Sequence, residues 1–233
     1  MSGGSLYFSS FDSDVFRVPF FRLTSVDAAE LADELQVEKS KGPMIADAKI
    51  AAGDVAQERR LIGLGFRRVT TQVELTATIG TQWSGAQAAG FTDSLVLDAT
   101  DLTAHAASFV FSRFLQDPFI PRADAVRFME TWINNSLNGR RKVVAIGRNF
   151  CTYQLRETAL EIDLLSCLDR RAGIATRLLS AIRTIAANAD LPAVQVVTEA
   201  ENVPALRTYV LSGFVPSKAT LAMHLVHGYG ASE

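Results

Sequence analysis

The sequence predicts an α/β (α+β) fold, a central mixed and mostly antiparallel sheet flanked by helices, with a smaller N-terminal α/β domain ahead of it. Three observations predict it. Strand-like and helix-like apolar periods alternate along the chain instead of segregating. Apolar residues make up 48% of 233, enough to bury a sizeable core. Between an apolar run at 160–168 and a helical pattern reaching about residue 187 stands the loop Arg170, Arg171, Ala172, Gly173, Ile174, Ala175, Thr176. Gly173 and the small Ala175 let backbone N–H groups approach an anion at the positive end of the helix that follows, so the loop reads as a phosphate cradle.

Taken in order, residues 6–8 and 20–23 read as short strands around an aromatic-rich turn at 11–16. Ala28, Leu31, Ala32 and Leu35 recur at helical spacing after Ser25, and Gly42-Pro43 closes that helix. A short strand at 44–46, a helix at 55–64 stopped by Gly65, and an alternating strand at 66–77 complete an α/β unit. Residues 79–92 are rich in Gly, Ala, Ser, Gln and Thr without a period, which makes them the linker and places a boundary near residue 85: one domain over 1–85 and a second over 86–233.

The second domain opens with a strand at 95–99 and a helix at 102–111 capped by Asp101 or Thr100. A stiff turn at 117–121 leads to a helix at 123–137, whose apolar face carries Ala125, Phe128, Met129, Trp132 and Ile133. Residues 142–147 and 151–155 read as antiparallel strands joined at Arg148-Asn149. The strand at 160–167 ends in Leu164-Leu165, an uninterrupted apolar end that predicts burial on both faces. Beyond the cradle helix come a strand at 194–197, a helix with Asn202 as N-cap and Gly213 as stop, and a last strand at 219–226 whose exposed edge offers a route to a homodimer. Residues 59–66 echo 206–214, each a helix end, Gly-Phe and a strand; a repeat and a convergent use of the same cap both account for this.

A formal net charge of −2 with dispersed basic residues argues against nucleic acid as a partner. No apolar run approaches membrane-spanning length, and the N-terminus lacks a charged region followed by an apolar core, so no membrane partner is expected. Two cysteines, Cys151 and Cys167, fit a reduced, cytoplasmic setting, and neither they nor His105, His224 and His227 have the spacing of a metal site. Small-molecule chemistry is the expectation.

The strand, loop and helix order, with Arg170, Gly173 and Ala175 in the pattern Arg/Gln-x-x-Gly-x-Gly/Ala, resembles the pyrophosphate motif of the GNAT superfamily of acetyl-coenzyme A dependent N-acetyltransferases. Asn202, Ala205, Leu206 and Tyr209, closed by Gly213-Phe214, resemble that superfamily's asparagine-to-tyrosine helix. Residues 11–16, 112–118 and 132–137 are similar to its TDP-fucosamine acetyltransferase branch.

The resemblance implies an enzyme that transfers an acetyl or related acyl group from acetyl-coenzyme A directly to a small-molecule amine, here the amine of a nucleotide-linked amino sugar of polysaccharide biosynthesis. Another small amine, a protein N-terminus, or a non-catalytic acyl-coenzyme A binding module are the alternatives. It assigns the coenzyme to the N–H groups of 171–175 with Arg170, Thr176 and Asn202, an oxyanion-type backbone contact to Leu165, and the role of general acid to Tyr209. Glu161 and Asp163 are alternative proton acceptors, Cys167 reads as a buried thiol, and Arg113, Arg122 and Arg127 with Phe114 or Phe119 are candidates for holding the nucleotide.

Overall fold

A computed structural model describes residues 5–80 and 90–230. The chain divides into two compact units, one made of Met1–Gln72, Phe111–Phe128 and Ala219–Glu233, the other of Val73–Val110 and Met129–Lys218. The linker assigned to 79–92 falls mostly on residues 81–89, and the boundary near residue 85 lies with them outside the described residues.

In the first unit the strands are β1 (Leu6–Phe8), β2 (Phe20–Leu23), β3 (Met44–Ala51), the end of β9 (Val215–His227) and the start of β4 (Arg67–Thr78), in the order β1-β2-β3-β9-β4. β1 is antiparallel to β2, β2 parallel to β3, and β3 antiparallel to β9 from Met44↔His227 to Ala51↔Thr220. The last strand is therefore no exposed edge along 220–227, and the route to a dimer read from it loses its footing. Helices α2 (Leu31–Lys41) and α3 (Val55–Gly63) bury Leu31, Leu35 and Leu61 against Met44, Ile50 and Met223.

The aromatic-rich stretch expected as a turn is instead a helix, α1 (Ser10–Phe16). Its Asp12 is fully buried, accepting from Ser9 Oγ and from the Arg22 guanidinium, while Phe16 lies 5.6 Å from Phe20 and 5.0 Å from Phe114. Burying that ring among others outweighs the short polar residues' preference for a turn.

The second unit orders its strands β4-β8-β7-β6-β5, with β5 (Lys142–Ile146), β6 (Asn149–Leu155), β7 (Leu160–Ser166) and β8 (Ala193–Glu199). β5, β6 and β7 are antiparallel neighbours, and β7 runs parallel to β8. Helix α7 (Ile174–Asn188) buries Leu178, Leu179, Ile182 and Ala186 in one cluster with Tyr209 of α8 (Val203–Leu211) and the strands. Leu165 packs on that cluster, whereas the next residue, Ser166, bonds to His105 of α4 (Ala99–Ser108); successive strand residues face opposite ways, so α7 and α4 cover opposite faces.

Two expectations give way here. Residues 95–98 form no strand: Val96 is 91% exposed, and Asp98, whose carboxylate accepts from Asp101 N, starts α4 at Ala99 in place of Asp101 or Thr100. β7 alternates buried and half-buried residues instead of being covered on both faces. The helix expected at 123–137 is met by α6 (Arg122–Asn135), which runs on into a π-turn at Ser136–Arg140 that breaks from helical geometry at Asn138 and Gly139 before β5.

The echo extends to topology. β2-α2-β3-α3-β4 and β7-α7-β8-α8-β9 both pair their first two strands in parallel around a helix, then add a helix and a strand. α3 and α8 end in the same hydrogen-bond pattern: Phe66 N to Leu61 O and Gly65 N to Ile62 O, Phe214 N to Tyr209 O and Gly213 N to Val210 O. Both glycines sit at positive φ, 95° and 85°. The shared order of elements favours the repeat.

Candidate functional site

The site begins where two strands part. β7 and β8 pair at Leu160↔Val194, Glu161↔Gln195 and Ile162↔Val196, and there the pairing ends, although β7 continues to Ser166 and β8 to Glu199. On the other edge β7 stays bound to β6, with a register shift: Tyr153 faces Ile162 and Thr152 faces Leu164, so Asp163 is an extra residue in a bulge. The Leu164 N–H donates to Thr152 Oγ1 at 3.1 Å, toward β6. Peptide groups alternate along a strand, so the N–H of Leu165 faces the edge that β8 has left. A parting pair of parallel strands is an open slot lined by backbone polar groups.

At the mouth of the slot lies the loop. Arg170, Arg171, Ala172, Gly173 and Thr176 are exposed, and Ile174 and Ala175 are half-buried. Arg171 and Gly173 turn the chain at φ 62° and 69°, and Gly173 is the N-cap of α7. Having no side chain, it caps nothing, and no acidic residue stands in the first turn of α7. By contrast, α3, α4 and α8 have their first-turn N–H groups met by Asp54, Asp98 and Asn202. The start of α7 thus presents unclaimed donors and the positive end of a helix, and a Cβ placed on Gly173 would meet nothing within 4 Å. The matching helix of the first unit, α2, carries Asp33 and Glu34 in its first turn, charges that oppose an anion.

Tyr209 is 5% exposed, its ring 5.6 Å from Phe214. Burial, reinforced by the nearby Cys151, Cys167 and Glu199, pushes its phenol pKa well up, so the hydroxyl keeps its proton throughout the working range. The expected role of Asn202 as cap is met, its Oδ1 accepting from Ala205 N at 3.3 Å while Nδ2 donates to Thr198 Oγ1 of β8.

Several polar residues that the sequence reading passed over hold this geometry. Asn149, 1% exposed, accepts at Oδ1 from Leu168 N and Asp169 N and donates from Nδ2 to Ile146 O and Asp169 Oδ2, fastening the strand end to the loop. Arg148 adds ion pairs to Asp169 at 2.7 Å and Asp101 at 3.2 Å. His105, fully buried, places Nε2 3.0 Å from the Arg148 carbonyl, which can only accept. Nδ1 is then bare when the ring is neutral and takes the Ser166 hydroxyl at 2.7 Å. Burial lowers the His105 pKa below its usual value, which keeps it neutral. The sequence signal was slight: a polar Asn and a Ser at the ends of otherwise apolar strands.

Other expected residues are occupied elsewhere. Glu161 is bound by Gln154 and Arg156. Burial raises the Cys167 thiol to about 11, leaving roughly one thiolate in ten thousand at neutral pH and no ready nucleophile. In the first unit Arg113 pairs with Asp47 at 3.2 Å, Arg127 donates to Val15 O, and Phe114 is fully buried. Arg113 and Phe114 are thus engaged inside the unit, near His224, which is bonded to Asp117 at 2.8 Å, and the half-buried Arg127 is tied to Val15 and Asp124. Phe119 is half exposed, with the Arg67 guanidinium stacked 3.5 Å from its centroid.

No protein-family model matches the chain, and no curated protein matches it. Solved structures do. A GCN5-related N-acetyltransferase from Sphaerobacter thermophilus superposes with a TM-score of 0.56 at 12% identity, over 95% of this chain and 75% of that one. A GCN5-related N-acetyltransferase from Kribbella flavida gives 0.56 at 15% identity, over 96% and 88%. A tandem GNAT protein from the clavulanic acid biosynthesis pathway gives 0.56 at 10%, over 92% and 76%. The chain has the GNAT fold. The resemblance to the TDP-fucosamine branch finds no counterpart among these matches.

Proposed function

We propose that the protein is an acyl-coenzyme A dependent N-acyltransferase, working by direct transfer. The observation that carries this reading is the conjunction, in one unit, of the uncapped N-terminus of α7 with the slot between β7 and β8. The first fits a pyrophosphate on the N–H groups of 171–175, beside Arg170 and Thr176; the second fits the coenzyme's amide-bearing arm against the freed edge of β7. Tyr209 and Leu165 then serve the reacting end. The Leu165 N–H stabilises developing negative charge on the thioester oxygen, and the protonated Tyr209 delivers a proton to the departing sulfur.

The acceptor in this reading is a small amine. An amino sugar on a nucleotide is the form taken from the sequence resemblance; it draws no diphosphate contact from Arg113 or Arg127, which are committed within the fold. We place the enzyme in the cytoplasm, in keeping with two free cysteines. Among the described residues, no helix is long and apolar enough to cross a membrane.

Thiol release from acetyl-coenzyme A, measured against TDP-, UDP- and GDP-linked amino sugars beside simple amines, tests both levels. Release that depends on an amine supports acyl transfer. Activity confined to simple amines removes the sugar nucleotide, and binding of coenzyme A without release to any amine points to a binding module.

A further inference from the structure

Resting on the reading of Tyr209 as the proton donor, we infer that Arg183 is the positioning residue that fixes where Tyr209 stands relative to the cradle. Arg183 lies on α7 and is half-buried, and its Nη1 donates to the Ser212 carbonyl, at the C-cap of α8, at 2.8 Å. The turn it grips is the one that closes on Tyr209: Ser212 N and Phe214 N both donate to Tyr209 O, and Gly213 N donates to Val210 O. Ser212 O takes no part in these bonds and lies at the negative end of the helix, so a cation there meets a carbonyl that the capping turn does not use and the helix dipole together. Gly213 makes room for the contact: at φ 85°, a Cβ there would come to 3.0 Å from Arg183 Nη1. One helix thereby serves both functional ends. The cradle opens at Gly173, and Arg183, roughly 15 Å further along the axis of α7, holds the helix that presents Tyr209.

The first unit repeats the arrangement in a weaker form. Lys39 of α2 donates from Nζ to Leu64 O, at the C-cap of α3, at 3.2 Å, and a Cβ on Gly65 would stand 3.8 Å from that Nζ, an ordinary contact. The residue in the place of Tyr209 is there Leu61, whose carbonyl likewise takes the Phe66 N–H, and α2 opens on Asp33 and Glu34. A helix-end contact that serves only the fold is thus met by a lysine, a point charge on a flexible stem. The unit that carries the cradle and the phenol has an arginine, whose planar fork fixes direction as well as distance. Direction matters for a proton donor, because a misplacement of about 1 Å at the reacting end costs on the order of 100-fold in rate.

The test is Arg183→Met beside Lys39→Met, each of which removes the cation and keeps an unbranched apolar stem. Both should lower Tm, because each strips a helix end of its partner. Only Arg183→Met should lower kcat, roughly 10- to 100-fold for acetyl transfer to whichever amine of the panel above turns over fastest, with KM for acetyl-coenzyme A within twofold of wild type. Arg183→Lys, the contact that the first unit uses, should lie between wild type and Arg183→Met. Wild-type kcat in Arg183→Met, an equal fall in Lys39→Met, a rise in KM as large as the fall in kcat, or no gain in Arg183→Lys over Arg183→Met overturns the proposal. If the wild-type protein releases no thiol with any amine, the acyl-transfer reading fails on its own, and fluorine NMR of a fluorotyrosine placed at position 209 then decides the positioning. A resonance shifted or broadened in Arg183→Met but not in Lys39→Met supports it; one unchanged in Arg183→Met, or changed equally in both, overturns it. If Arg183→Met does not fold, Arg183→Gln, which keeps a donor without the charge, takes its place under the same outcomes.

Discussion

Gly173→Ala separates the cradle from the fold that carries it. Gly173 sits at φ 69° and ψ 7°, a left-handed conformation that costs an L-residue about 1–2 kcal/mol. For a chain of 233 residues that corresponds to a fall in Tm of roughly 2–8 °C. An added Cβ meets nothing within 4 Å in the protein, so the loss in stability stops at backbone strain. Affinity should lose more. A methyl at the start of α7 holds an anion away from the neighbouring N–H groups, and one charge-assisted hydrogen bond is worth about 1.5–3 kcal/mol, or roughly 10- to 150-fold in Kd. The control is Gly53→Ala in the first unit, at φ 93° and likewise open within 4 Å, which carries the strain but not the ligand. Scanning fluorimetry reads the first quantity and calorimetry with coenzyme A the second. Wild-type affinity in Gly173→Ala, or an equal loss in Gly53→Ala, refutes the assignment of the pyrophosphate to this helix end.

Tyr209→Phe keeps the buried ring and removes the proton donor, so coenzyme A affinity should stay within twofold while kcat drops about 10²- to 10⁴-fold; normal turnover in steady-state assays would remove Tyr209 from the chemistry. Asn149→Ala strips the partners from Leu168 N and Asp169 N, two donors whose loss costs about 2–4 kcal/mol together, and should raise KM for acetyl-coenzyme A more than it lowers kcat. The pKa of His105 is lowered by burial, so the unfolded chain binds more protons than the folded one as pH falls below about 6.5. Its contribution to stability is complete above that pH and is lost as pH drops through the folded pKa. Urea midpoints at pH 7.5 and 5.5 should differ, and His105→Gln should shrink the difference. Asp47 and Asp117 do not blur this window: burial raises their pKa values, but Arg113 and His224 for the one and His224 for the other win, so both stay below 3.8 and act only at lower pH.

Chain-local chemistry was legible from the residues. Helix caps at Asn202 and the glycine stops at Gly65 and Gly213 depend on neighbours within five positions, and so do the periods of α7 and β6. The turn read at 11–16 was a helix because Phe16 gains its partners, Phe20, Phe114 and Phe128, from segments up to about a hundred residues away. A strand at 95–99 failed for the mirror-image reason: its β-branched Val96 found no sheet to join. The arginines offered to a nucleotide were indistinguishable from surface charges until Arg113 met Asp47.

By itself the sequence determined that α7 starts at a glycine with no acidic residue in its first turn, because these are properties of consecutive positions. Tertiary structure decided what surrounds that helix start. The parting of β7 from β8, the register shift of β7 against β6 at Asp163, and the approach of Trp132, Ser136 and Arg141 to one of its oxygens each depend on strands and helices far apart in the chain. Pairing and burial are set by such distant partners, and their free energies outweigh the local preferences that a linear reading can weigh.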